Sequence, residues 1–163
     1  MRFFSEAMNY PWVKIVLGLL VVGMLAANAR TRKTVVQTLF AVAVANGLTD
    51  IFKNVWPMHR PFQDFPGPHN VIMWVGQTAN PGTASAHSAN MAAVAFVFVY
   101  HLRWWGSPWV FVAVVTGISR VFCGAHYPYQ VLLGATCGLT AALAVTKGWE
   151  WFVARRAPKG DRE

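Results

Sequence analysis

The chain is dominated by apolar runs too long to be core elements of a soluble domain. Five recur: Trp12–Ala29, Thr34–Phe52, His87–Leu102, Pro108–Phe122 and Pro128–Lys147. A helix that crosses a bilayer needs about 20 mostly apolar residues, within a range of roughly 17–25. The third and fourth runs are short, so their ends are expected to draw residues from the flanking loops. Only 12% of the residues are charged, against about 25% in soluble domains, which excludes a large soluble α/β enzyme. The hydrophobic content excludes disorder, and two cysteines, Cys123 and Cys137, are too few for a disulfide scaffold. The expectation is an all-α polytopic membrane bundle of about five spans, forming a single domain over residues 1–163.

The basic residues fit that expectation better than they fit a nucleic-acid surface. Net charge is +8, but the bases sit between and after the apolar runs, where membrane-flanking residues belong. No nucleic-acid partner is expected. Arg30, Arg32, Lys33, Arg103, Lys147, Arg155, Arg156, Lys159 and Arg162 share one face of a five-span chain. Arg2, Lys14, Lys53, Arg60 and Arg120 share the other. The positive-inside rule assigns the richer face to the cytoplasm. The tail over 148–163 is then cytoplasmic, and it is suited to anionic lipid. The N-terminus and the long connection Lys53–Ala86 fall outside. Trp12, Trp56, Trp74, Trp104, Trp105, Trp109, Trp149 and Trp151 all lie near run ends or in loops, as interfacial tryptophans do. The first run is read as a span rather than a cleaved signal, because no basic segment directly precedes it. Phe3, Phe4 and Met8 are expected to form a short interfacial segment.

The connection Lys53–Ala86 holds Pro57, Pro61, Pro66, Pro68 and Pro81, so an ordered, largely non-helical loop is expected. Three polar segments map to the same face as this loop. Lys53 to Pro61 leaves the second run, Ala84-Ser85-Ala86-His87 enters the third, and Ser119 to Gln130 joins the fourth to the fifth. Charged and imidazole groups beside a membrane are costly unless paired or functional. Together they have the makings of a phosphate site. Arg60 and Arg120 offer forked donors and Lys53 a point charge. The start of the third run presents free backbone N–H groups, to which Ser85 adds a hydroxyl. His87 and His126 supply a nucleophile and a proton donor. This chemistry requires no metal and no cofactor.

The constellation resembles the type 2 phosphatidic acid phosphatase family, which shares its site with vanadium haloperoxidases and glucose-6-phosphatase. That family's pattern is K-x6-R-P, P-S-G-H and S-R-x5-H-x3-D. Lys53, Arg60 and Pro61 meet the first part in full. Ser85 and His87 meet half of the second, and Ser119, Arg120 and His126 meet most of the third. Ala84 and Ala86 stand where the family has proline and glycine, and Gln130 where it has aspartate. An alanine at 86 carries a penalty if that position needs positive φ. Glutamine still accepts the imidazole N–H, without charge, as in the dolichyl diphosphatases and glucose-6-phosphatase. Asp50, one helical turn before Lys53, is the less favoured substitute carboxylate.

The resemblance implies His126 as nucleophile, held by Gln130, and His87 as general acid and then base. It implies Lys53, Arg60, Ser85, Ser119 and Arg120 as phosphoryl ligands, with the Ala86 N–H. It implies a catalytic core over about 34–147, in a family that usually has six spans, so the missing one is placed before the first run. The implied function is hydrolysis of a lipid phosphate or diphosphate at the outer face of a bacterial inner membrane. A polyprenyl diphosphate such as undecaprenyl diphosphate is the first choice. A soluble-substrate phosphatase, a phosphotransferase and a non-catalytic phosphate-binding or transport protein are the alternatives. His59, His69 and His101 are read as loop and interface residues, with His59 near enough to Arg60 to touch substrate. Gly117, Gly134, Ala135 and Gly138 are read as close-packing positions.

Overall fold

The computed structural model describes residues 3–4, 9–65 and 80–156. Arg2, Met8, Pro66, Pro68, His69, Trp74, Lys159 and Arg162 lie outside them. The elements are α1 (Pro11–Ala27), α2 (Ala29–Val55), a short α3 (Pro61–Asp64), α4 (Ala86–Leu102), α5 (Ser107–Phe122) and α6 (Pro128–Arg156). Three helical stretches are long and apolar enough to cross a membrane: Ala29–Val55, Ala86–Phe122 and Pro128–Arg156; Pro11–Ala27 is a shorter apolar helix. The middle stretch is folded in two. A 3₁₀ turn, Arg103–Gly106, sends α5 back along α4. Arg103 takes φ 57° there. A Cβ on Gly106 would lie 2.4 Å from the Phe98 carbonyl carbon, so the turn closes onto α4 only with glycine.

The five expected runs therefore appear as five helices, with shifted ends. α4 and α5 gain one residue each rather than a stretch of loop, because Ser85 caps one and a tight turn stops the other. Residues 30–33, which lie between the first two runs and are expected from the sequence as a turn bearing Arg30, Arg32 and Lys33, are helical. Asn28 alone breaks α1 from α2. It is extended, and it shares a reciprocal capping box with Thr31. Thr31 Oγ1 and Arg32 Nε donate back to the Met24 and Leu25 carbonyls, at 2.6 and 3.1 Å, and so satisfy the end of α1. α6 likewise continues to Arg156, so the first part of the expected tail is helix. Arg155 and Arg156 lie over the rings of Trp151 and Phe152.

The core is made of small side chains. Ala41 and Ala45 on α2, Ala89, Ala93 and Val97 on α4, and Cys137, Ala141 and Ala142 on α6 form one buried cluster. In a bilayer little hydrophobic force draws helices together, so close backbone approach has to hold them. It is closest where Gly134 and Gly138 of α6 cross α4. A Cβ at these positions would lie 2.3 Å from the Ser85 carbonyl oxygen and 2.0 Å from that of Ala89. This crossing clamps the start of α4 to the start of α6, the two places that carry Ser85, His87 and Gln130. At the opposite end, His101 Nε2 meets Gln37 Oε1 at 2.6 Å, and the Tyr100 hydroxyl donates to Glu150. His101 thus joins helices, at the end of the bundle opposite the three polar segments.

Candidate active site

Arg60 is set by its neighbour. A residue before proline is pushed to extended backbone, and Arg60 has φ −102°, ψ 159°. Its own N–H donates to Gln63 Oε1 at 2.8 Å, and its side chain turns inward and is buried. Nε donates to the Asn80 carbonyl at 2.9 Å and Nη2 to that of Pro81 at 3.4 Å. Nη1 donates to the Ala125 carbonyl at 3.2 Å and lies 3.1 Å from His126 Nε2. One guanidinium thus ties the two arms of the long loop to the α5–α6 connection. Backbone bonds reinforce the arms: Gly82 N–H donates to the Met58 carbonyl at 2.7 Å, and Met58 N–H to Thr83 Oγ1 at 3.0 Å.

The Arg120-x5-His126 spacing has a local cause. α5 ends in a Schellman turn, with Gly124 at φ 66°. Ala125 N–H donates to the Arg120 carbonyl at 3.1 Å and Gly124 N–H to that of Val121 at 3.0 Å. The reversal carries the His126 N–H back to the same Arg120 carbonyl, at 3.2 Å. His126 therefore folds under the end of α5, beside the buried Arg120. Its Nδ1 lies 3.1 Å from the Gly82 carbonyl and 3.2 Å from Gln130 Oε1. Both are acceptors, so Nδ1 carries the proton and Nε2 keeps its lone pair, turned toward Arg60.

Gln130 is fully buried and its amide is held at both ends. Oε1 also accepts from the Tyr127 N–H at 3.1 Å, and Nε2 donates to the His59 carbonyl at 2.8 Å. An aspartate here could not donate to that carbonyl. Asp50 does not take over the role: it pairs with Lys53 at 3.0 Å. Gly82 completes the pocket around the imidazole. A Cβ there would lie 2.7 Å from Arg60 Cγ and 3.0 Å from Gln130 Nε2.

Ser85 is the N-cap of α4. Its Oγ accepts from Ser88 N–H at 3.4 Å and from Ser88 Oγ at 3.1 Å. Its own N–H donates to the Gln130 carbonyl at 3.0 Å. Ala86 opens the helix in right-handed backbone, and Arg103 is the only non-glycine with positive φ among the described residues. The alanine therefore carries no conformational penalty. His87 follows, exposed on the first turn and within electrostatic reach of Arg120, Arg60 and Lys53. Ser119 is buried, but its hydroxyl donates to the Thr116 carbonyl at 2.7 Å, back along its own helix. His59 is exposed, with Nδ1 2.9 Å from Asp64 Oδ1, and Tyr127 donates to Asp64 Oδ2 at 2.8 Å. That contact holds the Asp64 carboxyl below its usual range.

The structure thus brings Lys53, Arg60, Ser85, His87, Arg120, His126 and Gln130 to one end of the bundle. It adds Asn80, Gly82, Thr83 and the His59 carbonyl. Spacing patterns do not reveal these, since most act through backbone oxygens. Burial, then Arg60 and Arg120, push the His126 imidazole down to about 3 from an ordinary 6.5. It is therefore neutral at physiological pH. In the unfolded chain it takes up a proton below about pH 6.5, whereas the folded chain resists until about 3. Its contribution to stability thus shrinks as pH falls through that window. Histidine ¹⁵N NMR of the ligand-free protein is expected to show His126 as the Nδ1–H tautomer from about pH 8 to about pH 5. A ring that titrates near its ordinary value would contradict this arrangement.

The profile of the PAP2 superfamily matches residues 34–154. The chain is 31% identical to the bacitracin transport permease protein BcrC of Bacillus licheniformis over 144 residues, which cover 88% of this chain and 67% of that one. It is 29% identical to the undecaprenyl-diphosphatase BcrC of Bacillus subtilis (strain 168) over 135 residues, covering 81% and 64% respectively. It spans about two thirds of the length of these relatives. No solved structure matches it significantly.

Proposed function

Because the chain belongs to the PAP2 superfamily, we propose that it is a metal-independent phosphatase of lipid phosphates or diphosphates, with undecaprenyl diphosphate as its first substrate. One observation carries the reading: a neutral, doubly anchored His126 whose unprotonated Nε2 accepts from a buried guanidinium 3.1 Å away, a donor that a bound phosphate oxygen can take over. Arg60 and Arg120 repel each other at this site, and an anion bound between them relieves that repulsion. Lys53 and the α4 N-terminus add to the same field.

In the first step the Nε2 lone pair forms a bond to phosphorus and the bond to the leaving oxygen breaks. The substrate's negative charge offsets Arg120, Arg60 and Lys53 around His87, so that His87 holds a proton in the complex and gives it to that oxygen. In the second, His87 takes a proton from water, whose oxygen attacks phosphorus. The P–N bond breaks, and inorganic phosphate leaves with His126 restored. Gly82 and Gln130 hold the Nδ1–H throughout. The cations stabilise the charge on the transferring group, an effect worth about 10²–10³-fold in rate for each well-placed donor. Purified protein in detergent with EDTA is expected to release phosphate from long-chain lipid diphosphates. Release that requires an added metal ion, or none from folded protein, would reject the reading and favour a binding or transport role.

The site end faces outward from the bacterial inner membrane, with the nine-base face in the cytoplasm. Reporter fusions should find the N-terminus outside and the C-terminus inside. The reverse result would overturn the orientation.

A further inference from the structure

The helices that carry the site also enclose an apolar groove. α4 packs closely on both α5 and α6, while α5 and α6 barely touch each other. The gap between them is a cavity of about 690 Å³, within the range of roughly 300–1,000 Å³ of small-molecule sites. Its lining is almost wholly apolar, with Ser88 at one end and Tyr100 and Arg103 at the other. Small residues (Ala92, Ala95, Ala113, Gly117 and Ala135) leave the space open. Val114, Ile118, Leu132 and Leu139 form an exposed rim, so the groove opens sideways toward the bilayer.

Its upper end is continuous with the site. Ser88, in the lining, is hydrogen-bonded to the cap residue Ser85 at 3.1 Å. Gly117 and Ile118 immediately precede Ser119 and Arg120, and Val131 immediately follows Gln130. From Ser88 to Tyr100 the lining runs along α4 for about 18 Å at ~1.5 Å per residue. One leaflet of hydrocarbon is about 15 Å, half of the ~30 Å core.

We propose that this groove holds the first, phosphate-proximal stretch of the substrate's hydrocarbon chain, and so selects lipids with one long chain over short-chain or soluble phosphates. The inference rests on the phosphatase reading above and names its substrate class. The phosphate sits among Arg60, Arg120 and His126, and the chain leaves past Ser88 and Gly117 between α5 and α6. Beyond Tyr100 a longer chain passes into the bilayer.

The test compares a long-chain polyprenyl diphosphate with a five-carbon one. Ala113→Trp fills the groove and is expected to lower the long-to-short ratio of kcat/KM at least tenfold. Leu39→Trp, at an exposed position of α2, a helix that contributes nothing to the groove lining, is expected to leave that ratio unchanged. An unchanged ratio in Ala113→Trp would overturn the proposal. A second measurement needs neither that variant nor turnover. A long-chain diphosphate with a diazirine partway along its chain should label groove residues of α4, α5 and α6 in the unmodified protein, and unlabelled long-chain diphosphate should compete. Labelling spread over the outer surface, or not competed, would overturn the groove. Competed groove labelling without phosphate release would uphold it and reject the phosphatase reading instead.

Discussion

His126→Ala is expected to abolish phosphate release, lowering kcat by at least about 10⁴-fold, the scale seen when a covalent nucleophile is removed. The fold should survive. The imidazole is buried, but the groups around it have other partners. Gln130 keeps its bonds to the Tyr127 N–H and the His59 carbonyl, and Arg60 keeps the Asn80, Pro81 and Ala125 carbonyls. Substrate affinity should fall far less than rate, since Lys53, Arg60 and Arg120, the proposed phosphate ligands, remain. Phosphate release assayed beside a binding measurement separates the two. Activity within tenfold of the unmodified protein would show that another group attacks phosphorus.

Gly138→Val is expected to have the largest effect on the fold. A Cβ there would stand 2.0 Å from the Ala89 carbonyl oxygen, which is backbone and cannot swing aside. Overpacking of a close contact ordinarily costs about 1–3 kcal/mol. Here α4 and α6 must separate, so the cost should exceed about 3 kcal/mol. Ser85 and Gln130 would part with the helices, and activity would go with them. Gly148, on the same helix, has open space where its Cβ would stand. Gly148→Ala should stabilise by about 0.5–1 kcal/mol through helix propensity alone. Thermal melting in detergent reads both changes. A Gly138→Val protein that melts with the unmodified one would show that the crossing is not held this closely in solution.

Much of the site was legible as spacing because local structure enforces spacing. Arg120 and His126 are six residues apart because a Schellman turn closes between them. Arg60 points inward because Pro61 stiffens the residue before it. Ser85 and His87 flank the first residue of a helix, where a cap and an exposed first-turn side chain belong. Partners chosen by tertiary approach were not legible. The Gly82 carbonyl accepts from His126 across a long loop, and any residue type supplies a carbonyl. Gln130 could be read as an acceptor, but its second bond, to the His59 carbonyl, depends on where the loop returns. Ser119 matches a motif position, yet its hydroxyl turns back to Thr116, as serines in helices do. Helix ends suffered from counting apolar residues alone. The bases Arg30–Lys33 suggested a turn, whereas the Asn28–Thr31 capping box had already marked the break.

The most direct test of the account is to trap the phosphorylated protein. A lipid diphosphate labelled in its terminal phosphate is mixed with the protein and quenched in alkaline denaturant within one turnover. The label is expected on the protein as a phosphoramidate, stable to alkali and lost in acid, mapping to His126 and absent from His126→Ala. Turnover with no labelled protein at any quench time, or label on another residue, would contradict the covalent mechanism built on His126.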